Sequence, residues 1–301
     1  MKGFYPAVFI RGMAMGAADV VPGVSGGTVA FITGIYDELI ESLKSCNIQA
    51  LQLLFKSGPT AFWQHINGGF LMSLMLGIIT SVLSLARTIS YALHHHPVPL
   101  AALFFGLILA SALLVYRQIP HGGRQMVWLL CGLAFAVLVG EIRPAEIAST
   151  PLNLFLSGAL AICAMILPGI SGSFILLLLG MYQPVIDAVK NLDAISLLSF
   201  VGGCGVGLML FVRLLSWLMH RFPAQLLASL SGILIGSLSI IWPWKLNSEG
   251  ALLTESLAPG WQNVSPWDYG LQADAQMAIS AVLAVAGVLL VLLIERIAKK
   301  A

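Results

Sequence analysis

The 301 residues predict an all-α polytopic membrane protein of two inverted repeats. Each repeat opens with a Pro-Gly-broken, re-entrant helical hairpin and continues into transmembrane helices. Three observations carry this. The chain is 58% hydrophobic and 9% charged, with a mean hydropathy of +0.93, which excludes a soluble globule. The run Asp19-Val-Val-Pro-Gly-Val-Ser-Gly-Gly-Thr28 interrupts strongly apolar sequence, and Leu167-Pro-Gly-Ile-Ser-Gly-Ser173 echoes it. Finally, the two halves align on one another in order.

Taken from the start, Pro6 to Val21 and Ser25 to Lys44 read as two apolar arms around the first break. Irregular backbone at membrane depth is tolerated where it lines a cavity, so Gly and Ser at the break favour a hairpin that dips in and returns. A loop around Cys46 to His65 follows. Three spans come next, Phe70 to Leu93, Leu100 to Val115 and Val127 to Gly140, the last short for the roughly 20 residues a spanning helix needs. The second hairpin precedes Leu197 to Met219 and Leu226 to Trp244, and Met277 to Ile294 closes the chain. As one membrane domain, 1–301, the chain divides into repeat one at about 5–117, a linking span at about 124–143, repeat two at about 150–244, an external loop at about 245–275 and a C-terminal span at about 276–297. Met1 to Ile10 has one Lys and no small-residue cleavage site, so no cleavable leader is expected.

At a displacement of 146 positions, Pro22, Gly23, Ser25 and Gly26 fall on Pro168, Gly169, Ser171 and Gly172. Gly34, Tyr36 and Lys44 then fall on Gly180, Tyr182 and Lys190. Beyond the longer first loop the displacement becomes 126, and Arg87, His94, Pro97 and Gly106 meet Arg213, His220, Pro223 and Gly232. Three spans separate the hairpins. Three is odd, so the second repeat is expected to start from the opposite face. Basic residues agree: Lys2, Lys44, Lys56, Arg117, Arg124, Arg221, Arg296, Lys299 and Lys300 fall on one side, and Arg143, Lys190 and Lys245 on the other. The positive-inside rule then puts both termini in the cytoplasm.

The breaks suggest anion chemistry. Ser25 and Ser171 are N-cap residues for the resuming helices, and the glycines admit a ligand to bare backbone. Amide groups at a helix start, with the positive end of its dipole, suit a phosphate or another anion. Ser25, Gly26, Gly27 and Thr28 in the first break, with Ser171, Gly172 and Ser173 in the second, form the candidate site. Pro22, Gly23, Pro168 and Gly169 shape it. Ionisable residues inside apolar sequence are costly enough to be functional candidates. Arg87 and Arg213 occupy matching positions, and a guanidinium fork suits phosphate oxygens; snorkelling to a headgroup is the structural alternative. Arg11 reads as an interfacial anchor. Asp19 has Met165 as its repeat partner, so the internal symmetry does not demand it. It either bonds exposed backbone and shapes the turn, or couples transport to a proton or a sodium ion. Asp37, Glu38 and Glu41 read as an interfacial polar face, and Tyr36 and Tyr182 as aromatic-belt residues. His94, His95 and His96 precede Pro97 at a turn, where three consecutive imidazoles cannot converge on one ion from a regular helix. The scattered Cys46, Cys131, Cys163 and Cys204 read as buried free thiols. No metal, cofactor or nucleic-acid partner is expected.

Gly16-Ala-Ala-Asp-Val-Val-Pro-Gly-Val-Ser-Gly-Gly-Thr28 and Pro168-Gly-Ile-Ser-Gly-Ser173, in a chain of this length, resemble the polyprenyl-phosphate transporter family of bacteria. The resemblance covers essentially the whole chain. It implies translocation of undecaprenyl phosphate from the outer to the inner leaflet of the cytoplasmic membrane, where the carrier lipid is reused in cell-wall (peptidoglycan) synthesis. The motif positions it carries over are Asp19, Pro22, Gly23, Ser25, Gly26, Gly27 and Thr28, with Pro168, Gly169, Ser171, Gly172 and Ser173. Two other readings compete. A small soluble anion could use the same cradle. A membrane lipid-pyrophosphate phosphatase also resembles this chain in its repeats and Pro-Gly-x-Ser loops, but Gly26 and Gly172 follow the serines where that family has Arg. Phosphoryl chemistry needs an acid and base or metal ligands, and no His lies near either break. A transporter, not an enzyme, is expected.

Overall fold

Apolar sequence punctuated by Pro, Gly and Ser folds into helices that stop and restart at those residues. The computed structural model describes residues 4–19, 25–117, 119, 123–141, 147–246 and 261–298. The first half runs α1 (Pro6–Asp19), α2 (Gly26–Ile32), α3 (Tyr36–Ser45), α4 (Ile48–Ser57), α5 (Pro59–His65), α6 (Gly68–His95), α7 (Pro97–Tyr116) and α8 (Gly123–Glu141). The second runs α9 (Pro151–Ile166), α10 (Gly172–Leu178), α11 (Tyr182–Lys190), α12 (Ala194–Arg221) and α13 (Pro223–Ile240). It ends with β1 (Lys245–Leu246), β2 (Gln262–Asn263), α14 (Pro266–Tyr269) and α15 (Met277–Ala298). Local chemistry sets the starts: Pro opens α7, α9 and α13, where its missing N–H is not needed. Asn47, Thr150 and Asp193 cap α4, α9 and α12 through side-chain oxygens.

Five helices, α6, α7, α8, α12 and α13, are long and apolar enough to cross a membrane. α15 adds 22 residues, about 33 Å at 1.5 Å per residue. Three of the spanning helices separate the two hairpins. The molecule is a polytopic all-α membrane protein, with α1 folded against α2 and α9 against α10. α8 starts at Gly123, so polar residues extend the short apolar run to 19.

The two halves repeat their packing atom for atom in places. α1 lies so close to α6 that a β-carbon on Gly77 would sit 2.1 Å from the Phe9 carbonyl oxygen. Between α9 and α12, one on Gly203 would sit 1.9 Å from that of Phe155. Only glycine permits such approach, and it is how helices gain dispersion contact where lipid removes the hydrophobic drive. The last helices cross over. α8 packs on α13, Gly232 facing the Leu129 carbonyl, and α15 packs on α7, Gly106 facing the Ala284 carbonyl. The main core joins both halves, with Tyr36, Ile40 and Phe70 among Ile166, Val212 and Leu215.

Several expectations need correction. The resumed arms are not continuous: α2 gives way to α3 at Gly34, φ +71°, and α10 to α11 at Gly180, φ +66°. These left-handed positions suit glycine, which carries no Cβ to clash. α10 and α11 meet at 107°. The segment read as a loop around Cys46 to His65 folds into α4 and α5, with Ile48, Leu51 and Phe55 exposed along α4, an amphipathic pattern of an interfacial helix. Cys131 is exposed on α8 and Cys46, Cys163 and Cys204 are half-buried, where burial was expected; all four are free. His95 stacks on Tyr91 at 4.1 Å and lies 2.9 Å from its carbonyl oxygen, at the end of α6. In the 245–275 segment, β1 pairs antiparallel with β2, Lys245 opposite Asn263.

Candidate functional site

The two breaks meet. Ser25, N-cap of α2, accepts the Gly27 N–H at 3.1 Å. Its hydroxyl donates across to the Met165 carbonyl at 3.0 Å, with that of Leu167 at 3.4 Å. Thr28 Oγ1 accepts the Gly169 N–H at 2.8 Å. The last carbonyls of a helix have no partner within it, so the first break caps the end of α9. Tyr36 completes the seam: its hydroxyl donates to the Ile166 carbonyl at 3.2 Å, and its ring stands edge-on to Phe31 at 5.3 Å. Tyr36 is therefore internal, not a belt residue. Ser25, Thr28 and Ser171 are buried, and Pro168 is fully so. A buried polar seam in an apolar chain is stable because its groups bond to each other.

Not every expected feature is arranged as the motif suggests. The Gly26 N–H is not open to a ligand, because an Asp19 carboxylate oxygen accepts it at 2.7 Å. That is the turn-shaping bond, and it puts a side-chain anion where an outside anion was expected. Ser171 occupies the N-cap position of α10 but makes no capping bond; its hydroxyl is hydrogen-bonded to that of Ser173 at 2.8 Å. Gly169 takes φ +90° in the turn. Gly27 lies against the Ile166 carbonyl, while Gly172 faces Ala161 within its own hairpin. Pro22 and Gly23 lie outside the described residues. Arg87 is on α6 with its side chain outside them, and Arg213 is exposed on α12. The seam therefore brings together Ser25, Gly27 and Thr28 with Pro168 and Gly169, and neither arginine is part of it as described. Among the described residues, no three His, Cys, Asp or Glu gather with metal-holding geometry.

A second polar cluster was not expected. Glu41 on α3 accepts a hydrogen bond from Ser216 Oγ on α12. Lys44 donates to Ser216 at 2.7 Å and pairs with Glu41 at 3.2 Å. His220 Nδ1 lies 3.9 Å from Glu41 and 2.8 Å from the Ser216 carbonyl. Glu38 accepts from Asn67 at 2.9 Å. The polar face of α3 thus pairs with α12 while its charged side chains stay partly exposed. Its signal lay in Glu41 and Lys44 sharing a helix face, three residues apart.

A family model described as VCA0040-like, undecaprenyl phosphate translocase-like, matches residues 15–257. The chain belongs to the undecaprenyl phosphate translocase-like family. The second hairpin, the seam and the first hairpin from Met15 onward fall within that match. A curated polyprenyl-phosphate transporter of Vibrio cholerae serotype O1 is 45% identical over 305 residues, covering 98% of each chain. One from Staphylococcus aureus is 28% identical over 253 residues, covering 78% of this chain and 85% of its own. No solved structure matches. Both of these relatives are named as transporters.

Proposed function

We propose that the protein moves undecaprenyl or a related polyprenyl phosphate across the bacterial cytoplasmic membrane, from the outer to the cytoplasmic leaflet. The observation that carries this reading is the meeting of the two breaks at a buried polar seam in a chain otherwise built for lipid. The names of the relatives supply the lipid. On arrival the headgroup displaces internal partners of the two breaks, and it is then held by the hydroxyls of Ser25, Thr28, Ser171 and Ser173 and by backbone amides of Gly26, Gly27 and Gly172. Arg87 and Arg213, at matching repeat positions, meet the phosphate from opposite faces as it arrives and leaves. Nine basic residues against three favour an inverted arrangement with both termini in the cytoplasm.

Asp19 gives the reading a coupling step. Its carboxylate and a phosphate compete for the Gly26 amide, and like charges repel. A proton taken up by Asp19 removes the repulsion and frees the amide, so phosphate arrives as Asp19 is neutralised. A sodium ion beside the carboxylate would act in the same sense.

Reconstitution tests this. Purified protein in vesicles carrying labelled undecaprenyl phosphate in one leaflet should move label to the other, and faster with an imposed ion gradient. Uptake of soluble phosphate without lipid movement would favour the soluble-anion reading. Release of inorganic phosphate from undecaprenyl pyrophosphate would favour an enzyme.

A further inference from the structure

Where α1 packs on α6, α9 packs on α12, and α8 on α13 is matched by α15 on α7. The halves differ at α3 and α11. α3 crosses to α12 in the other half. There Tyr36 is 3% exposed, Ile40 is fully buried, and Lys44 and Glu41 bond to Ser216. At the matching positions α11 carries Tyr182, Ile186, Lys190 and Asp187. The same chemistry is written twice but engaged once. Tyr182 is 39% exposed, Lys190 is exposed, and Asp187 accepts from Gln183 of its own helix at 2.9 Å. α11 packs on α12, the helix that follows it. In the sequence, Ser90 and His94 of α6 stand at the positions that match Ser216 and His220 of α12. Each arm hangs from a positive-φ glycine: a β-carbon on Gly34 would have no atom within 4 Å, and Gly180 has φ +66°.

We infer that α3 and α11 are the two gate arms of one alternating device, which rests on the transporter reading above. In the arrangement described, α3 is docked and closes one face. In the opposite arrangement α11 turns about Gly180 and docks on α6, bringing Asp187 and Lys190 to the turn that carries Ser90 and His94, while α3 leaves α12. The two arrangements are interconverted packings of like chemistry, so a small difference in free energy moves the population between them.

Paired cysteines test the exchange in a chain with Cys46, Cys131, Cys163 and Cys204 replaced by Ala, in vesicles of phosphatidylethanolamine and phosphatidylglycerol. A lysine reaches farther than a cysteine, so a short bifunctional methanethiosulfonate should bridge Lys44→Cys with Ser216→Cys, and likewise Lys190→Cys with Ser90→Cys. A chain carrying all four should form either bridge and never both. Each bridge should lower lipid transport by about tenfold or more, reversed by reductant. Failure of the 90–190 bridge, both bridges in one chain, or full transport with a bridge in place overturns the inference. Spin labels at the same positions give a second measurement for pairs that insert poorly. Two anticorrelated distance populations support the exchange, and one fixed 90–190 distance overturns it. Bridging is read with no polyprenyl phosphate present. A chain that exchanges bridges but carries no such lipid refutes the substrate and retains the gates.

Discussion

At Gly27 a β-carbon would lie 2.6 Å from the Ile166 carbonyl oxygen and 3.1 Å from Ser25 Oγ, so the seam closes only around bare backbone. Gly27→Leu should therefore hold the breaks apart: the protein still reaches the membrane, as read by membrane yield, but melts at a lower temperature and loses lipid transport by about tenfold or more, the effect of roughly 1.4 kcal/mol in a barrier. Wild-type transport by that variant would remove the seam from the mechanism. Asp19→Asn keeps an amide that can still face Gly26 but carries no proton to exchange. It should bind lipid phosphate and lose the response of transport to an imposed pH gradient. An unchanged response would leave Asp19 as the residue that shapes the turn. Arg213→Lys keeps the charge and loses the planar fork, so transport should fall, with Arg213→Gln lower still; normal rates in both would make Arg213 a headgroup anchor. At this scale the sequence names one side of each contact. Ser25 and Thr28 are visible in the motif, but their partners are the Met165 and Leu167 carbonyls and the Gly169 amide. Every residue carries those groups, so no side chain announces them. Tyr36 was visible as a repeat match with Tyr182, and only tertiary contact shows it bonded to Ile166.

The helices were legible where long apolar runs met proline starts, as at Pro97, Pro151 and Pro223. The second break in each arm was harder to read. Gly34 and Gly180 stand in apolar sequence without a neighbouring proline, and a lone glycine in a helical pattern is usually tolerated. Their repeat match was the available signal. α4 and α5 went unread because each is short and Gly58-Pro59 divides them, although Asn47 is a cap residue three positions before Ala50, whose N–H it accepts at 3.1 Å. The β1–β2 pair carries a pH-sensitive group. Lys245 donates to the Ile240 carbonyl and lies 4.6 Å from the Trp261 ring centroid, and burial pushes it down to about 8. Its folded value is below the unfolded one, so the unfolded segment binds the proton more readily. The paired strands are thus less stable while Lys245 is charged, and gain stability as pH rises from about 8 towards 10.5. Tryptophan fluorescence should change with a midpoint near pH 8, and Lys245→Met should abolish that midpoint. A midpoint near the ordinary lysine value would show that Lys245 is solvated.

Across the whole molecule the internal alignment had more reach than any single motif. It matched Gly106 with Gly232, and both lie against a carbonyl of a crossing helix. It could not say which helices crossed, because α8 and α15 share little beyond apolar character and glycine. The proposed orientation rests on the charge count, and impermeant thiol labelling of single cysteines tests it. Replacements at Arg117 and Arg221 should label from one face and a replacement at Lys190 from the other; the same face for all three would contradict the inverted arrangement. The exchange of last helices also has a consequence for how the chain is made. α7 is complete at Tyr116, but the helix that covers Gly106 begins only at Met277. Through most of its synthesis, α7 must wait in the bilayer with its seam against lipid or a membrane chaperone. The protein is thus finished from its C-terminus inward, and a ribosome halted before α15 would release a chain recognisable to quality control by that uncovered glycine face.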